Sequence, residues 1–184
     1  MKKVCTFLAV VLLFSFSLTT HAQSTKAKSK SAMQTSMADN SNMPYTAMYS
    51  SKFQMGNSKF SHIVLNAWKA YDDNMLDNIA DAISDTVMAI MPDGSVIKGK
   101  EAFLNGLKSY RGGFSSAKST VDAWVPLKSV DKGDDIVFIW GSETDTKTDN
   151  TTQKVDLHEI WAFNKAGKLF FFRQFAGQAP KDMQ

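Results

Sequence analysis

Residues 154–175, KVDLHEIWAFNKAGKLFFFRQF, decide the fold. Val155, Leu157, Glu159, Trp161 and Phe163 alternate with Asp156, His158, Ile160 and Ala162, the period-2 pattern of a strand. Asn164-Lys165-Ala166-Gly167 supplies a turn, with Gly167 free to take the positive φ that closes a short hairpin loop. Residues 169–175 are almost all apolar or aromatic and form the return strand. One residue breaks the pattern. Glu159 shares a face with Leu157 and Trp161, so a carboxylate stands where the alternation asks for core.

Upstream of the hairpin two more strands are predicted, 119–128 from its alternation and 135–145 from its apolar run Ile136 to Trp140. The turn Asp131-Lys132-Gly133-Asp134 separates them, and a polar tip over 146–152 follows. In the first of these, Val121, Ala123, Val125 and Leu127 fall on one side and Trp124 on the other. Before the strands come helices. Phe60, Ile63, Val64, Ala67, Trp68 and Tyr71 make one apolar face over 58–73. Leu76, Ile79, Ala80 and Ile83 predict a second helix over 75–84. A short strand over 87–91, the turn Pro92-Asp93-Gly94 and a return over 95–98 lead to a third helix, 100–111. That helix is stopped by Gly112-Gly113. Three helices followed by a meander of four long strands make an α+β fold. A strongly curved sheet wrapped on a helix encloses a cone whose mouth is a natural small-molecule pocket.

The N-terminal third differs. Residues 1–22 have the form of a secretory signal peptide. Lys2 and Lys3 precede an apolar run of about 15 residues, shorter than the roughly 20 needed to span a bilayer, and Ala22 stands before the cut. Cleavage removes Cys5, the single cysteine, and with it any disulfide or thiolate chemistry. It also takes the net charge from +3 to +1, which gives no electrostatic footprint for nucleic acid. Residues 23–57 are polar and poor in apolar surface, so they read as a disordered linker, in which Pro44-Tyr45 and Phe53 could dock back on the domain. Met33, Met37, Met43, Met48 and Met55 punctuate it. Thioethers bind Cu(I), but the spacing is irregular and no His or Cys lies among them. With His21 removed, His62 and His158 remain without a ligand cluster, and no metal or other cofactor is expected. No phosphate-binding glycine loop and no nucleophile elbow is present.

In order and spacing, 58–177 resembles the nuclear-transport-factor-2-like superfamily, and more closely its bacterial SnoaL-like branch. The stretches that carry the likeness are the helix pair around Asp72-Asp73, Met91-Pro92-Asp93-Gly94, and Ile97-Lys98-Gly99-Lys100-Glu101-Ala102-Phe103. The last is His158-Glu159-Ile160-Trp161-Ala162-Phe163 with Gly167-Lys168-Leu169. The resemblance implies a cone-shaped fold, three N-terminal helices packed in a strongly curved antiparallel or mixed sheet, usually dimeric through the outer sheet face. Residues 178–184 are left as a tail. The superfamily includes isomerases, dehydratases, cyclases, epoxide hydrolases and proteins with no chemistry, so the fold does not give the function.

Residue by residue, the ketosteroid-isomerase pattern is incomplete. The place of its general base holds Met91, before Pro92. The place of its helix tyrosine holds Trp68, with Tyr71 one turn on, and Glu159 falls where the oxyanion-hole acid stands. The epoxide-hydrolase pattern needs an Asp-Arg-Asp set, which Arg111 and Arg173 do not complete. The cyclase pattern leaves His158 and Glu159 as acid–base candidates, on opposite faces of one strand.

Two readings follow. Trp68, Tyr71, Met91, Glu159, Trp161, Phe172 and Gln174 line a pocket for a small apolar or amphipathic molecule; or the protein is a cyclase- or dehydratase-type enzyme working through Glu159 or His158. A third is an interaction module with a filled cone. The loss of the base at Met91 favours binding over catalysis. Trp124 and Trp140 are expected at a homodimer contact.

Overall fold

The computed structural model describes residues 43–178, all within the unit Thr35–Gln184. The expected signal peptide, residues 23–42 of the expected linker and residues 179–184 lie outside the described residues. The elements are β1 (Phe53–Met55), α1 (Ser58–Asp72), a 3₁₀ helix (Leu76–Ala82), β2 (Ile83–Ile90), β3 (Val96–Lys98), α2 (Lys100–Arg111), β4 (Phe114–Ser129), β5 (Asp135–Lys147), β6 (Thr152–Phe163) and β7 (Leu169–Gln178). They build one unclosed seven-stranded sheet in the order β1-β4-β5-β6-β7-β2-β3. β4 to β7 form the expected antiparallel meander, and the β2–β7 pairing is parallel, so the sheet is mixed.

The expected linker ends earlier than residue 57. Phe53–Met55 pairs with Leu127–Ser129, and Gly56 N–H donates to Pro126 O at 2.9 Å. Upstream, Tyr49 Oη donates to Asp134 at 2.8 Å. Backbone pairing holds this segment, and backbone donors leave no mark in side-chain composition. Gly56 also has a steric role: a Cβ there would meet the Leu127 backbone at 2.9 Å.

Asn57 starts α1 by accepting the Lys59 N–H at 2.9 Å, the role of an N-cap amide. The face read from the sequence packs inward. Phe60 meets the Phe163 ring at 4.7 Å, and Val64 is fully buried. Complete burial of a ring of this kind contributes about 2–3 kcal/mol. Asn74, at φ 56°, turns the chain out of the helix.

The expected α-helix over 75–84 is instead a 3₁₀ helix that ends at Ala82. Leu76 and Ile79 are its buried residues, three apart, which is the spacing that eclipses in a 3₁₀ helix. Ile83, the residue that suggested helical continuation, already belongs to β2 and pairs with Leu169.

One bulge sets the faces of the sheet. Val121 pairs with Gly141 but Ala123 pairs with Trp140, so Asp122 is an extra residue on β4. Val121 therefore faces the core with its partners, while Ala123, Val125 and Leu127 face outward, not together with Val121 as expected. Trp124 pairs with Ile139 and Trp140 with Ala123, so the two tryptophans lie on opposite faces. At the bulge β4 crosses close over Gly141, where an added Cβ would meet Thr120 O at 2.1 Å. β4 also starts five residues before the expected 119, because its polar head pairs with the end of β5. β7 runs on to Gln178, which pairs with Val155 and so is not part of a tail.

Arg111 ties one end of the fold together. Although only 4 % exposed, its guanidinium is satisfied by three carbonyls, donating to Tyr71 O at 2.8 Å, Phe114 O at 2.9 Å and Asp72 O at 3.1 Å. The Asp72 carboxylate in turn accepts from Ser119 N and Oγ at 3.0 and 2.8 Å. The end of α1, the end of α2 and the start of β4 are thereby fixed to one another.

Candidate functional site

A cavity of about 440 Å³ lies between the helices and the concave face of the sheet. Pockets that take small molecules typically measure about 300–1,000 Å³. All seven residues singled out as pocket-forming line it. α1 contributes Trp68 and Tyr71, one turn apart; β6 contributes Glu159 and Trp161; β7 contributes Phe172 and Gln174; and Met91 follows β2. The convergence follows from two periodicities, i and i+3 on the helix and i and i+2 on each strand.

Glu159 is 4 % exposed and fully engaged. Trp68 Nε1 donates to its Oε2 at 2.6 Å, and Trp161 Nε1 donates to the same oxygen at 2.8 Å. Gln174, its cross-strand partner, donates from Nε2 to Oε1 at 2.8 Å. Burial raises the Glu159 pKa, and the three donors pull it back toward the charged form. The carboxylate that broke the strand pattern thus clamps two indoles and an amide at the cavity wall. Trp161 also stands edge-on to Phe172, with ring centroids 5.0 Å apart, and Phe172 meets Phe103 at 5.3 Å.

His158 is not part of this site. It faces the outer side, edge-on to Trp140 at 5.7 Å and near Phe138 and Phe175. The alternative in which His158 acts as acid–base in the cone is therefore corrected, and the outer-face placement that the strand alternation favours is the one found. Met91 lines the cavity at the place of the isomerase base and has no proton to exchange. Asp93, two residues on, also lines the cavity but is exposed. Hydrogen bonds from Ser95, first through its side chain and then through its N–H at 2.9 Å, hold the Asp93 pKa down.

A second acidic group was not legible in the sequence. Glu143 and Asp145 project from β5 onto the inner face, 8 % and 0 % exposed. Glu143 lines the cavity. Its pKa is pushed up to about 8, first by burial, then by the Asp145 charge and a hydrogen bond to Asp145 that favours the protonated Glu143, and then by the Glu159 charge. The Tyr71 hydroxyl lies toward it, short of a full hydrogen bond, and draws it down. Burial raises Asp145 as well; Gln153 donates to it at 3.4 Å, and its Oδ1 has no partner. The phase of β5 would have revealed both carboxylates, but Ile136 to Trp140 is apolar on both faces and hides that phase. Among the described residues no group of three or more His, Cys, Asp or Glu is placed to hold a metal ion. No helix among them is long and apolar enough to cross a membrane.

No protein-family model and no curated protein matches the chain. Solved structures do. An NTF2-like protein of unknown function from Exiguobacterium sp. 255-15 superposes with a TM-score of 0.54 at 15 % identity, covering 64 % of this chain and 99 % of that one. A second NTF2-like protein of unknown function, from Burkholderia pseudomallei, gives 0.55 at 14 % identity, covering 66 % and 92 %. A putative SnoaL-like polyketide cyclase from Shewanella denitrificans gives 0.55 at 8 % identity, with the same coverage. Identities this low speak for architecture alone. The chain has the NTF2-like fold, with SnoaL-like proteins among its structural relatives.

Proposed function

We propose that the protein binds a small apolar or amphipathic molecule inside the cone. The observation that carries this reading is the 440 Å³ cavity, walled mainly by apolar and aromatic side chains with a few converging polar groups. An enzymatic reading through Glu159 or His158 is weaker. Glu159 is committed to three donors and His158 faces outward. If proton transfer occurs here, Glu143 is the group with the suitable environment, since a carboxyl poised near neutrality can both give and take a proton.

The test uses a variant that fills the cavity without disturbing the core. Gly106 lies on α2 at the cavity wall, and a Cβ there meets only Ile97 Cδ1, at 3.5 Å. Gly106→Leu adds a side chain to the wall and removes a helix glycine, which stabilises the helix by about 0.5–1 kcal/mol. Wild type is expected to take up the neutral fluorophore 1-aminoanthracene one to one. Gly106→Leu is expected to melt no lower and to bind it at least about tenfold more weakly, since each 1.4 kcal/mol lost is tenfold. Equal uptake by both would move the binding site out of the cone.

Self-association is proposed through the outer sheet face. Trp140 and Phe175 are 39 % and 43 % exposed there around His158, with Arg173 stacked on Phe175 at 4.6 Å. Aromatic and arginine side chains of this kind are enriched at interfaces. Trp124 is on the other face and is no longer assigned to the contact. Light scattering is expected to give a dimer for wild type and a monomer for Trp140→Glu. A monomeric wild type would remove the proposal. Export is proposed from residues 1–22. N-terminal sequencing of the protein from its producing cells is expected to begin at Gln23, and a protein that still begins at Met1 would refute it.

A further inference from the structure

Among the described residues the charged side chains of the cavity are all of one sign: Asp93, Glu143 and Glu159 line it, and no Lys, Arg or His does. The nearby cation is already used: Arg111 gives its N–H groups to the carbonyls of Tyr71, Asp72 and Phe114 and is not a lining residue. Glu159 is equally occupied, by three N–H donors. Glu143 is the contrast. It is nine-tenths buried, faces the cavity and has only the Tyr71 hydroxyl pulling toward its charged form. Behind it, Asp145 is fully buried with one oxygen unpartnered. Tyr71 and Tyr110, both lining residues, sit close enough to feel the charges of both carboxylates. A buried carboxylate without a counterion, near phenol rings, is an environment that receives a positive charge: the carboxylate supplies the Coulomb attraction and the Tyr110 ring supplies cation–π contact, the Tyr71 ring already having Arg111 over it at 5.8 Å.

We propose that the ligand of the cone is an organic cation, an ammonium group carried on an apolar body, with the ammonium at Glu143 near Tyr71 and Tyr110 and the body against Trp68, Trp161 and Phe172. The inference rests on the binding reading above and specifies its ligand class. With a neutral ligand Glu143 keeps its proton and adds no charge attraction, and an anion is repelled, so only a cation draws on the carboxylate. In the empty protein Glu143 keeps a proton, held by burial, by the charge of and a hydrogen bond to Asp145 on its own strand, and by the charge of Glu159 on β6. Asp72 from α1 raises Asp145 in turn, against Arg111 from α2. When the cation enters, the Glu143 proton leaves to solvent and the carboxylate pairs with the ammonium. Affinity for a quaternary ammonium, which has no proton of its own, therefore rises with pH up to about 8, by at most about tenfold per unit.

The experiment titrates the full chain with benzyltrimethylammonium and with its neutral isostere neopentylbenzene, at pH 6 and pH 8, following tryptophan fluorescence. The expected result is that the cation binds at least about tenfold tighter than the isostere at pH 8. Its affinity falls toward pH 6 while that of the isostere does not change. Glu143→Gln is expected to erase both the preference and the pH dependence. Should that variant fail to fold, the cation-to-isostere ratio of wild type and its pH dependence still decide. A neutral isostere that binds as well as the cation overturns this inference and leaves the cavity reading intact. Refusal of both probes together with 1-aminoanthracene overturns both.

Discussion

Glu159→Ala is expected to cost about 3–5 kcal/mol of unfolding free energy, the largest effect of any single substitution at the site. The substitution leaves Trp68 Nε1, Trp161 Nε1 and Gln174 Nε2 without their acceptor. An orphaned buried donor costs about 1–3 kcal/mol. Water admitted from the cavity recovers part of that, and the lost side-chain volume adds to it. Glu159→Gln separates the contributions. Its carbonyl oxygen still accepts from the indoles, and the Gln174 amide turns over to accept from its NH₂, so only the charge assistance is lost and a loss of about 1 kcal/mol is expected. Denaturant unfolding measures both. A loss below about 1 kcal/mol in the alanine variant would mean that the clamp contributes little.

The second large effect is a pH dependence of stability with an unusual sign. Glu143 ordinarily titrates near 4.5 and in the folded protein at about 8. Between those values the folded state holds a proton that the unfolded chain has lost. Stability is therefore fully present below pH about 4.5, falls as pH rises, and levels off above about 8. Asp145 and Glu159, also raised by burial, push in the same direction. The decline attributable to Glu143 is on the order of 3–5 kcal/mol, since one pKa unit is 1.36 kcal/mol. Glu143→Gln removes it. The variant is expected to match wild type near pH 5 and to melt about 10 °C higher at pH 8.5. Superimposable melting curves across this range would show that Glu143 ionises in the folded state as it does in the unfolded chain.

Both effects depend on how much of the site the chain displays in one dimension. The β6–β7 hairpin was legible because one face of β6 is apolar and the other polar. That single phase placed Glu159, Trp161 and, across the ladder, Gln174 and Phe172. α1 was legible for the same reason at period 3.6. β5 was legible as a strand but its phase was not, because Ile136 to Trp140 is apolar on both faces; Glu143 and Asp145, the acidic end of the cavity, were lost with that phase. The bulge at Asp122 reversed part of the β4 face assignment, since a one-residue shift moves every following side chain to the other face. β1 escaped notice because a three-residue edge strand is held by backbone groups. The 3₁₀ helix was mistaken for an α-helix because Leu76 and Ile79 fit both periods over so short a span.

The central claim is that the cone holds a small molecule. Native mass spectrometry of wild type and Gly106→Leu, each purified from its producing cells without denaturation, tests it most directly. The account predicts added mass on wild type that is released on denaturation and is absent from Gly106→Leu. A bound mass retained equally by both proteins would contradict it. So would an empty wild type that takes up neither amphipathic ammonium compounds nor their neutral analogues when these are added in excess.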